Sequence, residues 1–314
     1  MPVVVATAFM VFIPAFAQTY PVKPVRMILP FVGGTDLVGR MLASKLSPLL
    51  GQQVVPDPRL GAAGNIGFEA AAKAPADGYT LVMGAVPVLT NPHLYAKVAY
   101  DPLRDFASIA LLATIPNIIV VHPSVPAKTL RELVTLARSS PGKLAYGSGG
   151  VGSANHLAAE FLQALANIRI VHVPYKSATF ALTGALSGEV DMVIVVVSST
   201  VQLMNSGKMR GLAILDTKRN ASAPNVPTSA EAGMPQLTAV NWYALMAPTG
   251  TPRAIIERLN IESVKVMNTP ETRQSLAAMG GEPATSTPEQ TAEFLRSEYA
   301  RWGKLIRDAK IKVE

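Results

Sequence analysis

The residues best suited to chemistry lie in Leu144–Ala159, LAYGSGGVGSANHLAA, where an apolar run stops at Gly147, Gly149, Gly150 and Gly152 and a helix pattern opens at Ser153. Glycines allow positive φ and let backbone N–H groups come close to a guest. The helix behind them supplies unpaired N–H donors and a partial positive charge, so the expected guest is an anion. Gly147, Gly149 and Gly152 also fit the G-x-G-x-x-G spacing of a dinucleotide site, which needs an acid about 20 residues on to hold the ribose. The next strand pattern, Ile168–Val173, runs instead into Pro174, Tyr175 and Lys176. No carboxylate stands there, so a ribose has nothing to hold it. A nucleophile elbow also fails, because Gly-x-Ser-x-Gly requires glycine two places before the serine and Tyr146 precedes Ser148 there. The plain alternative is a glycine turn that only lets strand and helix pack.

His93, His122, His156 and His172 share no metal-ligand spacing, and the chain has no Cys. No metal, cofactor or disulfide framework is therefore expected. His156, in the first turn after the glycine loop, faces the expected guest or hydrogen-bonds the loop from behind. His172 ends an apolar strand and reads as a satisfied core or rim histidine. Asp36 reads as a helix N-cap, and Asp191 as a strand-start residue that bonds backbone groups. Neither has the carboxylate partner that acid–base work wants. Tyr175 and Lys176 lead from a strand into a helix and could rim a cleft.

These residues need a scaffold, and short aliphatic runs alternating with helical stretches argue a parallel α/β sheet. The pattern runs VRMILPF, helix Leu37–Leu50, QVVPD, helix Ile66–Ala72 and YTLVMG, followed at Ala85–Thr90 by an expected ligand loop and at Asn91-Pro92 by a turn. The first turn, Phe31 to Asp36, repeats glycines after a strand and gives a second anion-ready helix start. Gly61–Gly67, GAAGNIG, is a third glycine turn. A strand at Ile118–Val121 carries the chain outward and VNWYALM, Val240–Met246, brings it back, so two lobes hinge at about residues 120 and 244. The expected division is 18–120 plus 245–314 against 121–244. Ligands of open α/β sheets sit at strand C-termini, here in the cleft between the lobes. The remainder is helical, closed by a capping box at Thr287 and Gln290.

At 314 residues, 49% hydrophobic and 16% charged, the chain can bury a large core. Its net charge is +7, but the cations are scattered and no run exceeds two. Those of the C-terminal helix alternate with acids as on a solvated face, so nucleic acid is not expected. Residues 3–17, VVVATAFMVFIPAFA, form an apolar stretch ending in Ala15-Phe16-Ala17. It is too short to span a membrane and ends as a signal-peptidase site does. An exported chain beginning at Gln18 is expected, although the stretch lacks a basic n-region.

Across these segments the chain resembles the Bug-type receptors, the extracytoplasmic solute-binding subunits of tripartite tricarboxylate transporters. YPVKPVRMILPF, GGTD, GAAGNIG, DGYTL, YDPLRDF, YGSGGVGSANHLAAE, HVPYK, GEVD, VPTSAEAG, APTGTP, STPEQ and ARWGKLI carry the likeness over nearly all of the mature chain. It implies a two-lobed periplasmic binding fold, type II-like, that closes on a small carboxylate without catalysis and delivers it to membrane permease subunits. It further implies that Phe31, Gly33, Gly34, Thr35 and Asp36 form a first ligand loop and Ser148, Gly150, Ser153 and His156 a second. Ala85 and Tyr175 complete the expected site. The first loop is shorter than in that family, and Ile194–Val197 is aliphatic where relatives often carry polar or acidic groups, which dries that wall. A periplasmic monomer is expected. The rival expectation is an exported hydrolase-like enzyme using Ser148, His156 and Asp191.

Overall fold

The computed structural model describes residues 20–311. The expected leader, residues 1–17, lies outside them. Strand β1 (Val25–Leu29) leads into helix α1 (Gly34–Leu50), β2 (Val54–Pro58) into α2 (Asn65–Ala72), and β3 (Thr80–Gly84) into α3 (Val86–Leu94). A long strand β4 (Phe106–Val121) follows, then α4 (Leu130–Ser139), β5 (Ala145–Ser148), α5 (Ala154–Ala166), β6 (Val171–Pro174) and α6 (Ala178–Ser187). The chain continues through β7 (Met192–Val196), α7 (Val201–Asn205), β8 (Arg210–Ile214) and β9 (Val240–Pro248). It ends in α8 (Arg253–Met267), α9 (Pro270–Ala278), β10 (Glu282–Pro283) and α10 (Pro288–Asp308).

The sheet order is β2-β1-β3-β9-β4-β7-β5-β6, with β8 and β10 also on β4. Two lobes emerge from one rule applied twice: three parallel strands, then one antiparallel strand, then another. In the first lobe β2, β1 and β3 are parallel and β9 lies antiparallel between β3 and β4. In the second, β6, β5 and β7 are parallel and the end of β4 lies antiparallel to β7 and β8. The expected parallel sheet is thus corrected to a mixed one, because β9 runs against the parallel strands of the first lobe and the end of β4 against those of the second. β4 belongs to both: Phe106–Pro116 pairs with β9, and Asn117–Val121 with β7.

Each half-sheet is buried on both faces, which is why β3 reads as the unbroken run TLVMG. Val38, Leu42 and Leu46 of α1 pack on one face of the first lobe with Ile256 and Leu259 of α8. Phe68 of α2, Leu89 of α3 and Trp302 of α10 cover the other face. Leu130 and Leu162 lie under the second lobe, and Ala181 and Ala185 of α6 cap its opposite face. The capping box at Thr287 and Gln290 is present. The expected loop at Ala85–Thr90 is instead α3, which runs through Pro92. Val86, Val88 and Leu89 are buried, and Asn91 Nδ2 donates to Ala63 O and Asn65 Oδ1, both at 2.8 Å, so tertiary anchoring outweighs the local turn preference of Asn-Pro.

Candidate functional site

A cavity of about 500 Å³ opens between the lobes at the C-terminal ends of their parallel strands. Gly33 and Asn241 of the first lobe face Ala154, Asn155, Ala178, Thr179, Leu182, Val195, Val196 and Ser199 of the second, with Asn117 where β4 passes between them. Hollows of about 730 and 670 Å³ lie elsewhere, between α1 and β2 and between α5 and α10. Those two lie along helix flanks away from the strand C-termini, whereas the interlobe cavity collects three helix starts.

The first start is α1, whose N-cap is Gly33 at φ 83. A side chain at Gly34 would overlap the Tyr243 hydroxyl, so the turn tolerates little else. Asp36 is therefore not the N-cap expected from sequence. It sits within the first turn and takes Arg40 Nε on both carboxylate oxygens at 2.9 Å. The second start is α5, where Ser153 is the expected cap and its Oγ accepts the His156 N–H at 3.4 Å. Ser153 Oγ also lies 2.6 Å from Gly150 O and 2.7 Å from Asn155 Oδ1, its single proton serving one of them. Gly149 N–H donates to Asn155 Oδ1 at 3.3 Å, which fixes the amide and leaves Asn155 Nδ2 buried with no partner. The third start is α6, capped by Ser177, whose Oγ accepts the Phe180 N–H. A Cβ at Gly149 would fall 2.9 Å from Ala178 N, so glycine there is what lets the α5 and α6 starts touch.

Below the loop is a buried polar stack. Ser148, fully buried, has its Oγ 2.5 Å from His172 Nε2, accepts the Gly150 N–H at 3.1 Å and lies 3.2 Å from Gly150 O. His172 sits between the rings of Tyr146 and His156, at 4.9 and 4.3 Å between centroids. His156 Nδ1 accepts the Gly152 N–H at 3.1 Å, and Nε2 is 3.9 Å from Glu160, whose carboxylate takes the Tyr146 hydroxyl at 2.7 Å. Burial, and after it the neighbouring His172, lowers the His156 pKa to about 4. Burial also lowers that of His172. Two neutral imidazoles thus brace the glycine loop from behind.

Of the residues expected from sequence, Gly33 lines the cavity. Gly34, Thr35 and Asp36 form the α1 turn behind it, and Ser148, Gly150, Ser153 and His156 build the loop that carries Asn155. Phe31 packs on Phe68 and over Gly64, and Ala85 is the buried N-cap of α3. Tyr175 covers Gly147 and Gly184, so its ring packs α6 onto β5. The grouping of Ser148, His156 and Asp191 is not assembled: Asp191 Oδ2 accepts the Ala145 N–H at 2.7 Å, at the far end of β5 from Ser148, and the imidazole on Ser148 is that of His172. Asn117, Asn155, Ala178, Thr179 and Asn241 were missed. Asn155 lay in plain view two places after the cap, and Ser177 is the N-cap residue type that marks the α6 start.

Two interleaved lobes with a cleft at their strand C-termini define a periplasmic-type solute-binding protein. The chain belongs to the tripartite tricarboxylate transporter family of receptors, whose model matches residues 38–311. It is 35% identical over 305 residues to Protein BugT of Bordetella pertussis, covering 96% of this chain and 94% of that one. Among solved structures it is similar to R. palustris Rpa4515 with adipate, at TM-score 0.83 and 33% identity over 94% of this chain and all of that one. It is also similar to MatC (Rpa3494) from Rhodopseudomonas palustris with bound malate, at TM-score 0.79 and 29% identity over 91% of this chain and all of that one. The interlobe architecture expected from sequence is that of these structures.

Proposed function

We propose that this receptor captures a small organic acid in the interlobe cavity and delivers it to the membrane permease subunits of its transporter, without catalysing a reaction. The observation that carries this reading is the convergence of three helix starts on a cavity lined, among the described residues, by no Asp, Glu, Lys or Arg. A helix N-terminus contributes ~0.3–1 kcal/mol to a nearby anion, and each hydrogen bond to a charged oxygen adds roughly 1.5–3 kcal/mol. Neutral donors can therefore hold one carboxylate, with Asn155 Nδ2 the donor still without a partner. The expected residues Gly33, Ser148, Gly150, Ser153 and His156 form or brace this anion site, and Asn155, Ala178 and Thr179 join them. The adipate and malate of the two similar structures support the same ligand class. In this reading the chain is exported, cut after Ala17, and works as a periplasmic monomer. The lobes divide where strand partners change, at Pro116–Asn117 and at Ala239–Val240.

Calorimetry with a carboxylate panel tests the reading. Gly150 has φ +105, where a branched residue is strained, so Gly150→Val is expected to weaken binding well over tenfold. Arg59, paired with Asp57 at 3.0 Å, and the exposed Lys176 lie outside the cavity lining. Arg59→Ala and Lys176→Ala should each cost little. Loss of binding in either cation variant, with Gly150→Val tolerated, would mean a salt bridge holds the anion elsewhere.

A further inference from the structure

Resting on that carboxylate reading, we propose that the ligand carries a single carboxylate and that the rest of it is apolar, with at most a neutral hydrogen-bond donor at its far end. The donors of the cavity lie at the helix starts, Gly33 of the first lobe and Asn155, Ala178 and Thr179 of the second. One turn further along α6 the lining becomes Leu182, which faces the cavity together with Val195 and Val196 from the end of β7. Val196 is the strand partner of Asn117, and Asn117 Oδ1 accepts from Asn241 Nδ2 at 3.0 Å, so these three form the floor by the lobe crossing.

The two amides of the floor look like ready donors for a second acid group, but their nitrogens are already turned to backbone. Asn117 Nδ2 donates to Ala239 O at 2.9 Å, and Asn241 Nδ2 also reaches Ile115 O at 3.4 Å. That orientation directs Asn241 Oδ1, an acceptor, away from those carbonyls. Arg40, the first cation after the first ligand loop, sits on α1 outside the cavity lining and is held by both oxygens of Asp36. Ser199 adds only a neutral hydroxyl to this side. A second carboxylate would meet an aliphatic wall and a carbonyl-type oxygen, and an unpaired charge in such surroundings is costly. A methylene chain or ring gains by covering Leu182, Val195 and Val196. The same wall thus favours one class of acid and rejects the other.

The test is calorimetry on the mature chain with hexanoate, benzoate, adipate, malate and hexanamide. Hexanoate and adipate share a six-carbon length and differ by the second acid group. At least one of hexanoate and benzoate is expected to bind tenfold or more tighter than adipate and malate. Adipate or malate binding as tightly as both monocarboxylates would overturn the inference while leaving the carboxylate reading in place. Hexanamide matching hexanoate, or no acid binding at all, would remove the carboxylate reading and the inference with it. Val196→Lys, or Leu182→Lys if the first does not fold, is expected to raise adipate affinity relative to hexanoate at least tenfold. An unchanged ratio in a folded variant would also overturn it.

Discussion

Protonating His156 would cost the glycine loop a hydrogen bond, because Nδ1 is the atom that accepts the Gly152 N–H. Its pKa is about 4 in the folded chain against an ordinary 6.5. As pH falls from 6.5 the unfolded chain takes up this proton first, so stability declines through the interval and the loss levels off below about 4. Above 6.5 the contribution is present in full. At roughly 1.4 kcal/mol per pKa unit, the interval corresponds to on the order of 3 kcal/mol. The groups facing the imidazole are His172, Glu160 and Tyr146, and the lowered pKa of His172 acts in the same direction. Urea midpoints of the native chain should therefore fall more steeply on acidification than those of His156→Gln, whose amide oxygen can still accept from Gly152. Parallel profiles would show that the imidazole contributes nothing to the acid response.

At the scale of elements, the contact between the α5 and α6 starts rests on a missing side chain. Gly149→Ala places a methyl 2.9 Å from Ala178 N, closer than Cβ atoms approach backbone, so the two helix starts must part. Ligand affinity should fall about tenfold, or ~1.4 kcal/mol, with a smaller effect on thermal stability. Equal affinity in a folded Gly149→Ala protein would argue that α6 takes no part in holding the anion. The same comparison shows what a sequence can display. The α5 start was legible because its glycines, its Ser153 cap and His156 are contiguous. The α6 start was not singled out, since Ser177 opens it without glycine or charge. The floor was hidden for a different reason: Asn117 and Asn241 meet across 124 positions, and no local pattern announces such a pair. Asp36 misled because capping statistics favour aspartate, whereas here backbone flexibility at Gly33 sets the helix start. Only the end of β4 was visible as a strand, because Pro116 and the weakly patterned FASIALLAT before it disguise one continuous element.

For the whole molecule, the chain crosses between the lobes at Pro116–Asn117 and Ala239–Val240, the place for the hinge in the proposed reading. Several bonds tie the lobes beside it: Asn220 Nδ2 donates to Gly280 O at 2.8 Å, Arg301 Nη1 donates to Thr238 O at 2.8 Å, and Lys218 pairs with Glu282. The Lys218–Glu282 pair is exposed and contributes little to stability. In the proposed reading, a ligand whose carboxylate bridged Gly33 and the α5 and α6 starts would bind a closed arrangement better and shift the population toward it. Small-angle scattering should show a smaller radius of gyration at saturating ligand. The fluorescence of Trp242, buried next to the Asn241 floor residue, should change in step. An unchanged scattering profile with calorimetric saturation would mean that the lobes bind without closing.

Pro116 and Val240 are direct strand partners, so everything between them leaves and rejoins the first lobe at one rung of a ladder. That has a bearing on the order in which a growing chain can assemble. The strands of the second lobe all lie between Asn117 and Ile214 and can pair as soon as they are made. The first lobe must wait for β9, which separates β3 from β4, and until then both present open edges of the kind that recruit other chains. The part of the protein made first is therefore finished last. A fragment of residues 117–239 should unfold cooperatively by itself. A chain stopped at residue 239 should show that transition alone and aggregate through the unfinished half, whereas extending it through β9 and the helices that follow should restore solubility.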